Sequence, residues 1–271
     1  MRNTVIRVLV FCLAAPISTG ALAQSDDEEA EGKLEEIIVT ATRREEALME
    51  INQSIQAFTE AQLELPTFNE MNDVYNLVPG ATVYSNKQPT KEGLQLRGSG
   101  IVQTGSADGL SPVGYYVDDI PYVDITTPVP PPMSTFDLQR VEVLRGPQGT
   151  SWGQDSSAGS VIMRTNPVDL ENFGYKVRLG ASDVESSPGT GSTIGVVVNI
   201  PLAEDVFGIR LSYLREEDPG YGAVVRRPDI KNPLESTRDS LRIKALWQAS
   251  EKIDFELTHS EWNTEYSILP G

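Results

Sequence analysis

The most informative segment of this sequence is Arg140-Val-Glu-Val-Leu-Arg-Gly-Pro-Gln-Gly149. Val141 and Val143 give its first half the β-branched character of a strand. Its second half contains glycine and proline, which suit a turn because glycine tolerates positive φ and proline fixes its own φ. The apolar run Val161 to Met163 then predicts a second strand. The residues alone predict a strand, a glycine-punctuated loop and a strand, which an ordinary hairpin connection would also give.

Composition and charge narrow the class of protein. The chain has 271 residues, enough for one or two domains, and its 39% hydrophobic and 7% aromatic content is typical of a folded protein. The formal net charge of -17 argues against non-specific nucleic-acid binding and against a polybasic patch that binds anionic lipid. We therefore expect no nucleic-acid partner.

The N-terminus predicts export. An apolar run, Val8 to Ala15, follows two arginines and precedes the small residues Ala21-Leu-Ala23, which is the pattern of a secretory signal peptide over residues 1–23. The run is too short for a membrane-spanning helix. The only cysteine, Cys12, lies inside this run, so we expect no disulfide in the mature chain.

Residues 24–42 predict a mobile acidic arm that ends in a β-prone segment. Acidic and small residues dominate Gln24 to Gly32, so this part has little to bury. Next comes Glu35-Glu-Ile-Ile-Val-Thr-Ala-Thr42, whose strand formers have no evident partner nearby in sequence. Two interpretations remain: the first strand of a domain, or a tethered segment that adds to the sheet edge of a partner protein.

Residues 43–166 predict a small α+β domain. A strand at Ser54 to Phe58 precedes a helix that starts after Thr59 as its N-cap. A second helix has apolar spacing over Asn69 to Leu77 and ends at Pro79-Gly80. Further strands are predicted at Ala81 to Tyr84, Gly93 to Arg97, Val113 to Val117 and Ile120 to Val123, with Asp118-Asp119 as the turn before the last.

Three motifs of this domain strongly resemble the plug domain of TonB-dependent outer-membrane receptors. They are Leu94-Gln-Leu-Arg-Gly98, Val113-Gly-Tyr-Tyr-Val-Asp-Asp-Ile-Pro-Tyr122 and Val141 to Gly149, in that order. The segment Glu36-Ile-Ile-Val-Thr-Ala41 is similar to the TonB box of the same receptors. The sequence departs from the family at Asp119, where glycine is common, and in the loop after Thr150.

The resemblance implies an outer-membrane receptor that takes up a scarce small-molecule ligand, such as a siderophore, cobalamin or a saccharide. The inner-membrane TonB complex would supply the energy by pulling on the box. By this resemblance the TonB-binding residues are Glu36, Ile37, Ile38, Val39, Thr40 and Ala41. The latch and turn residues of the plug would be Arg97, Gly98, Glu142, Arg145, Gly146 and Gly149. For the two arginines, ordinary surface salt bridges are the alternative.

After Asn166-Pro167 the apolar period changes to two, which is typical of strands. Five rows of about ten residues are predicted, the length of a tilted strand that crosses an outer membrane. The rows are Phe173 to Ala181, Ile194 to Leu202, Phe207 to Tyr213, Leu241 to Trp247 and Ile253 to Leu257. Short and long links alternate between them, as in a membrane barrel; a soluble β-sandwich is the alternative.

Residues 167–271 are therefore predicted to be the first antiparallel strands of a transmembrane β-barrel, in contact with outer-membrane lipid. Five strands cannot close, and the resemblance implies a barrel of about 22 strands. The expected fold class is an α+β plug domain followed by the first strands of an incomplete barrel. We expect the N-terminal fragment of a receptor; the alternatives are a non-transporting fragment and a soluble periplasmic plug-like binding module.

The polar residues predict ion pairs rather than catalysis. Basic residues on the polar face of the strands would point inward and pair with the acidic domain that they enclose. These residues are Lys176, Arg178, Arg210, Arg242 and Lys244, offset by Asp254 and Glu256. A single histidine excludes a histidine metal cluster, and Asp118, Asp119 and Asp124 suit a solvated turn better than a cation site. We expect no enzyme activity, no cofactor and no metal.

Overall fold

The computed structural model describes residues 38–39, 46–47, 54–68, 70–84, 93–99, 111–123, 130–153, 156–183, 189–220, 223–224, 227–231 and 235–266. The chain divides into two units, 1–35 and 36–271, and every described residue belongs to the second. The predicted signal peptide and the acidic run of the arm lie outside the described residues. Among those described, no helix has the length and apolarity needed to cross a membrane.

The β-prone segment of the arm forms a strand within its own chain. Strands β1 (Ile38–Val39) and β2 (Glu46–Ala47) pair antiparallel in a separate two-stranded sheet. The expectation that the segment lacks a nearby partner is therefore wrong. Sequence did not reveal the partner because glutamate and alanine are both depleted in strands.

The described residues of the α+β domain, which lie between positions 54 and 166, form seven strands and three short helices. In chain order they are β3 (Ile55–Thr59), α1 (Glu60–Leu63), α2 (Met71–Asn76), β4 (Ala81–Tyr84), β5 (Gly93–Leu96), β6 (Val113–Val117), β7 (Ile120–Tyr122), β8 (Leu138–Arg145), α3 (Gly149–Trp152) and β9 (Gly159–Thr165). Strands β4 and β5 form a separate pair. The predicted strands are thus present.

The main sheet of the domain has the order β3-β8-β9-β6-β7. Only the β6–β9 pair is parallel, and the other pairs are antiparallel. Strands β8 and β9, which the glycine-punctuated loop connects, are inner strands of this sheet, and Val141, Val143 and Val161 are fully buried there. They pack with Leu63 and Val74 of the helices in one apolar core.

Local hydrogen bonds set the helix starts. The backbone N–H of Thr59 donates to Oε1 of Gln62 at 3.0 Å, so the predicted start of α1 is confirmed. Helix α2 begins at Met71 because the N–H of Glu70 donates to Oδ2 of Asp73 at 3.0 Å. The predicted start at Asn69 is two residues too early, since apolar spacing does not show where the cap lies.

The glycine-punctuated loop contains a helical turn that the sequence did not predict. Gly146 and Gly153 have positive φ values of 111° and 85°, as expected for turn glycines. Gly149 instead begins α3 and is not among the residues with positive φ. The turn places Trp152 against Tyr116, with ring centroids 4.6 Å apart, in a second buried cluster.

A second sheet, the wall sheet, follows the α+β domain. Its strands are β10 (Gly174–Asp183), β11 (Thr190–Ala203), β12 (Phe207–Asp218), β15 (Ser236–Ser250) and β16 (Ile253–Tyr266), antiparallel and in that spatial order. The link before β15 contains a small hairpin, β13 (Ala223–Val224) and β14 (Arg227–Lys231). The predicted alternation of long and short links is confirmed. The five strands form an open sheet in which β10 and β16 are the edges.

The two faces of the wall sheet have opposite chemistry. Large apolar side chains cover the outer face, and Tyr175, Leu179 and Leu257 are 74%, 75% and 73% exposed. On the other face, Lys244 is buried against Asp118 of the α+β domain, and Asn199 is buried against Asp169 and Asn172 of the segment that follows the domain. An exposed apolar face with a covered polar face is the reverse of a soluble sandwich and is typical of a membrane barrel.

Candidate functional site

The candidate site is the interface between the α+β domain and the wall sheet, and its most buried ion pair is centred on Asp137. This residue precedes β8 and has a fully buried side chain. Arg242 Nη2 lies 3.0 Å from its Oδ2 and donates to its backbone oxygen at 2.9 Å. Arg210 also donates to both carboxylate oxygens. One carboxylate of the domain therefore binds two wall strands.

The electrostatic environment keeps Asp137 charged. Burial alone would raise the pKa of this carboxyl group, because a low-dielectric environment disfavours the charged form. The hydrogen bond from Arg210 and the positive charges of Arg242 and Arg210 outweigh burial, and the pKa of Asp137 is lowered. The contact is therefore an ion pair rather than a neutral hydrogen bond.

A second contact involves the turn between β6 and β7. Asp118 and Asp119 both have positive φ, 47° and 67°, which matches a two-residue hairpin turn. Asp118 accepts hydrogen bonds from the N–H and hydroxyl of Thr165 and lies 3.0 Å from Nζ of the wall residue Lys244. Asp119 forms a bidentate pair with Arg164.

The expected solvated turn at Asp118-Asp119 is therefore wrong for Asp118, which is bound to the wall. Sequence favoured the solvated turn because hairpin turns usually face water. The third aspartate of that expectation, Asp124, lies outside the described residues. Within the described part of the chain, no group of three or more acidic, histidine or cysteine residues could hold a metal ion.

A third set of ion pairs joins the helices of the domain to the wall and is more exposed. Lys176 binds Glu60 at 2.9 Å and also binds Glu64. Arg238 lies 3.5 Å from Glu70, and it also pairs with Glu216 of the wall at 3.2 Å. The carboxylates of Glu60, Glu64 and Glu70 are 40–43% exposed, in contrast to the buried Asp137. These pairs are consequently weaker.

The predicted inward-pointing cations are confirmed for Lys176, Arg210, Arg242 and Lys244. Arg178 also points inward, but its guanidinium carbon lies 4.9 Å from the ring centroid of Phe136, so it makes a cation–π contact. The acidic partners in the domain were not identified from sequence. The only available signal was the excess of acidic residues in residues 43–165.

An apolar contact accompanies the ion pairs. Phe136 packs on Val197 and Leu214 of the wall, and all three side chains are buried. The ring lies over Gly195, where an added Cβ would be 2.8 Å from Phe136 Cζ and 3.0 Å from Leu214 Cδ1. The wall therefore accommodates the ring because this position has no side chain.

We expect Gly195→Val to displace Phe136 and to destabilise the interface by about 1–3 kcal/mol, the usual cost of overpacking. Gly174→Val is the matched control in the same sheet, because a Cβ there would meet only Asn199 Cβ at 4.0 Å. Thermal unfolding of the purified full-length protein in detergent measures both. Equal stability of the two variants would contradict the expected packing role of Phe136.

The predicted latch residues are only partly brought together. Arg97 and Gly98 form the two-residue turn after β5, with φ values of 53° and 76°. Arg145 donates to the carbonyl oxygen of Pro79 at 3.0 Å. Arg97 Nη1 lies 3.4 Å from the position that a Cβ on Gly146 would occupy. These residues form one corner of the domain.

The other predicted site residues lie apart from that corner. Glu142 is fully buried in β8 and pairs with Arg140 at 2.8 Å, and Gly149 begins α3. Of the TonB-box residues, Ile38 and Val39 form β1. The other four, Glu36, Ile37, Thr40 and Ala41, lie outside the described residues.

A cleft of about 590 Å³ lies between the helices of the domain and the wall. Its charged lining comes from both sides and is mainly acidic. The charged residues are Glu64, Glu70, Asp73, Arg178, Glu216, Glu217, Asp218 and Arg238. The cleft between the α+β domain and the wall sheet is therefore polar.

This geometry defines a class of protein: a small α+β domain joined by ion pairs to the polar face of a sheet whose opposite face is apolar. Comparison with known protein families gives a consistent result for the α+β domain. The family described as TonB-dependent Receptor Plug Domain matches residues 47–160. The α+β domain is therefore called the plug below.

Curated relatives and solved structures extend the match beyond the plug. A probable TonB-dependent siderophore receptor, PirA of Acinetobacter baumannii, is 26% identical over 95% of this chain and 37% of its own length. The pesticin receptor of Yersinia pestis is 24% identical over 84% of the chain and 30% of its own length. The crystal structure of the ferric citrate transporter FecA matches with a TM-score of 0.63 at 18% identity, covering 81% of this chain and 32% of FecA.

Residues 47–160 match the plug-domain family of TonB-dependent receptors, and the antiparallel strands that follow match the fold of the FecA structure. The likeness to FecA shows the shared fold. The chain spans about a third of the length of these curated relatives.

Proposed function

We propose that this chain forms the plug and the first wall strands of an outer-membrane receptor that imports a siderophore-like ligand with energy from TonB. The observation that carries the proposal is the ionic attachment of the plug to the wall through Asp137, Asp118 and Lys176. A domain that must move to admit a ligand needs contacts that can break and re-form.

The composition of the interface supports such movement. Ion pairs and a polar cleft account for most of the plug–wall contacts described above, whereas the apolar contacts are local. They comprise Phe136 with Val197 and Leu214, and Tyr122 with Trp262, whose ring centroids are 6.3 Å apart. Water can solvate the charges that separate when the plug moves. Because the apolar contacts are local, the movement would also expose little apolar surface.

The TonB box supplies the proposed point of force. A β-prone segment can add to the exposed sheet edge of a partner through backbone hydrogen bonds. Residues 36–41 meet this requirement, and Ile38 and Val39 already have a strand conformation. We propose that TonB binds these residues and pulls on the plug behind them.

The ligand class comes from the relatives. PirA is described as a probable siderophore receptor, and FecA as a ferric citrate transporter. A ferric chelate is therefore the first ligand to test, ahead of cobalamin or a saccharide. Outer-membrane location agrees with the exposed apolar face of the wall sheet, which also disfavours the soluble periplasmic module.

The test is iron uptake by cells that produce the full-length protein containing this chain. Radioactive iron is supplied as a catecholate complex, a hydroxamate complex and ferric citrate. We expect uptake of at least one complex to require both the receptor and TonB. Equal uptake with and without TonB, or with and without the receptor, would contradict the proposal.

A further inference from the structure

We propose that strand β2 is an internal competitor of TonB, so that the β1–β2 pair is a clasp that holds the TonB box close to the plug. The register of the clasp pairs Ile38 with Ala47 and Val39 with Glu46. This inference rests on the proposed function, because it takes residues 36–41 as the TonB-binding segment.

The clasp is weak enough to open. It has two residue pairs, and its strands join no other sheet among the described residues. An isolated two-stranded hairpin is marginally stable in water. A partner that pairs with all six box residues offers more backbone hydrogen bonds than β2 does, so strand exchange is favourable.

Opening the clasp changes how far the box can extend from the plug. Ser54 is fixed to the plug, because its carbonyl oxygen accepts the N–H of Arg145 at 2.9 Å. With the clasp closed, the box is tied to Ala47, and residues 48–53 allow an extension of about 25 Å. With the clasp open, residues 40–53 allow Val39 to extend about 50 Å from Ser54.

Pairing of the box with TonB is therefore coupled to the distance that the box can extend from the plug. TonB pairs with the box by displacing β2. The same exchange frees the additional length of chain between the box and the plug. The closed clasp lowers the apparent affinity for TonB, because that affinity is the intrinsic affinity multiplied by the fraction of molecules in which the box is unpaired. Free receptors therefore keep the box close to the plug, and bound receptors extend it.

A reversible cross-link tests the clasp. Ile38→Cys with Ala47→Cys places two cysteines at directly opposed positions of an antiparallel pair, which suits a disulfide. Within residues 1–271 the only cysteine is Cys12, in the predicted signal peptide, so no other thiol of this part of the mature protein competes. The full-length protein in detergent is titrated with the purified periplasmic domain of TonB, before and after reduction.

We expect the oxidised double variant to bind TonB at least about tenfold more weakly than its reduced form, since each lost backbone hydrogen bond weakens binding several-fold. Ala47→Cys alone, treated with the same oxidant, is the control and should bind as the wild type does. Equal binding by the oxidised and reduced forms would overturn the clasp, because TonB would then use the free edge of β1.

A second variant opens the clasp without altering the box. Ala47→Pro removes a backbone N–H and is unfavourable in the paired strand. We expect it to bind TonB up to about tenfold more tightly than the wild type. Unchanged or weaker binding would count against competition. If the wild type itself does not bind TonB, the proposed function fails, which is a different result from failure of the clasp.

Discussion

Asp137→Asn is expected to lower the free energy of unfolding of the plug by about 3–5 kcal/mol, the typical effect of removing one partner from a buried ion pair. The substitution removes the buried carboxylate that Arg210 and Arg242 both bind beneath the plug. Asparagine tolerates the positive φ of 58° at this position, so the backbone itself adds little strain. Hydrogen exchange of the β8 amides in the full-length protein measures the change.

Asp119→Asn is the matched control. Asp119 also has positive φ and also binds an arginine, Arg164, but its side chain is 51% exposed. An exposed pair contributes about 0–1 kcal/mol, so this variant should keep nearly all of the β8 protection. Similar losses in the two variants would show that burial does not determine the strength of the Asp137 contact.

The pH dependence gives a second measure of the Asp137 contact. Because the pKa of Asp137 is lowered in the folded protein, its contribution to stability is complete above the ordinary aspartate pKa of about 3.9. That contribution is lost as the pH falls through the lowered pKa. The Asn variant should lack this part of the acid-induced loss, which hydrogen exchange at successive pH values would detect.

Gly159→Ala is expected to be the most disruptive small substitution in the plug. A Cβ at this position would lie 2.2 Å from the carbonyl oxygen of Leu144 and 2.6 Å from Leu96 Cδ1. The first atom belongs to the backbone of β8, which pairs with β9 at the centre of the sheet, so it cannot move without loss of that pairing. We expect a cost of at least about 3 kcal/mol, at or above the upper end of overpacking effects.

The control for Gly159 is Gly149→Ala. A Cβ on Gly149 would have no atom within 4 Å, and Gly149 begins helix α3, where alanine is favourable. Resistance of the plug to proteolysis in the folded full-length protein distinguishes the two variants. A protease-resistant plug in the Gly159 variant would contradict the close packing between β8 and β9.

Much of the fold follows from local residue patterns. The alternation of apolar residues after Phe173 gave the wall strands and their two faces, because successive side chains of a strand point to opposite sides. Threonine at position 59 gave the start of α1, since its side-chain oxygen makes threonine a favoured N-cap residue. The Val141 to Gly149 motif gave the plug by resemblance, and the family match includes it.

Other features had no local signal. Glu46-Ala47 does not look like a strand, yet it pairs with Ile38 and Val39 of the proposed TonB box. The interior cations were evident from the strand period, but their partners were not. Asp137 lies in an irregular segment before β8, where no repeating pattern predicts which way its side chain points.

The order of the parts, most of their strands and the apolar outer face of the wall follow from the sequence alone, because these depend on residues close together in the chain. The binding of Asp137 to Arg210 and Arg242 depends on the tertiary structure, because these arginines are 73 and 105 positions away in the chain. The register of β12 and β15 brings the two arginines to one place on the covered face. The plug must also place the Asp137 carboxylate at the same position. The resulting ion pair is strong because it is buried.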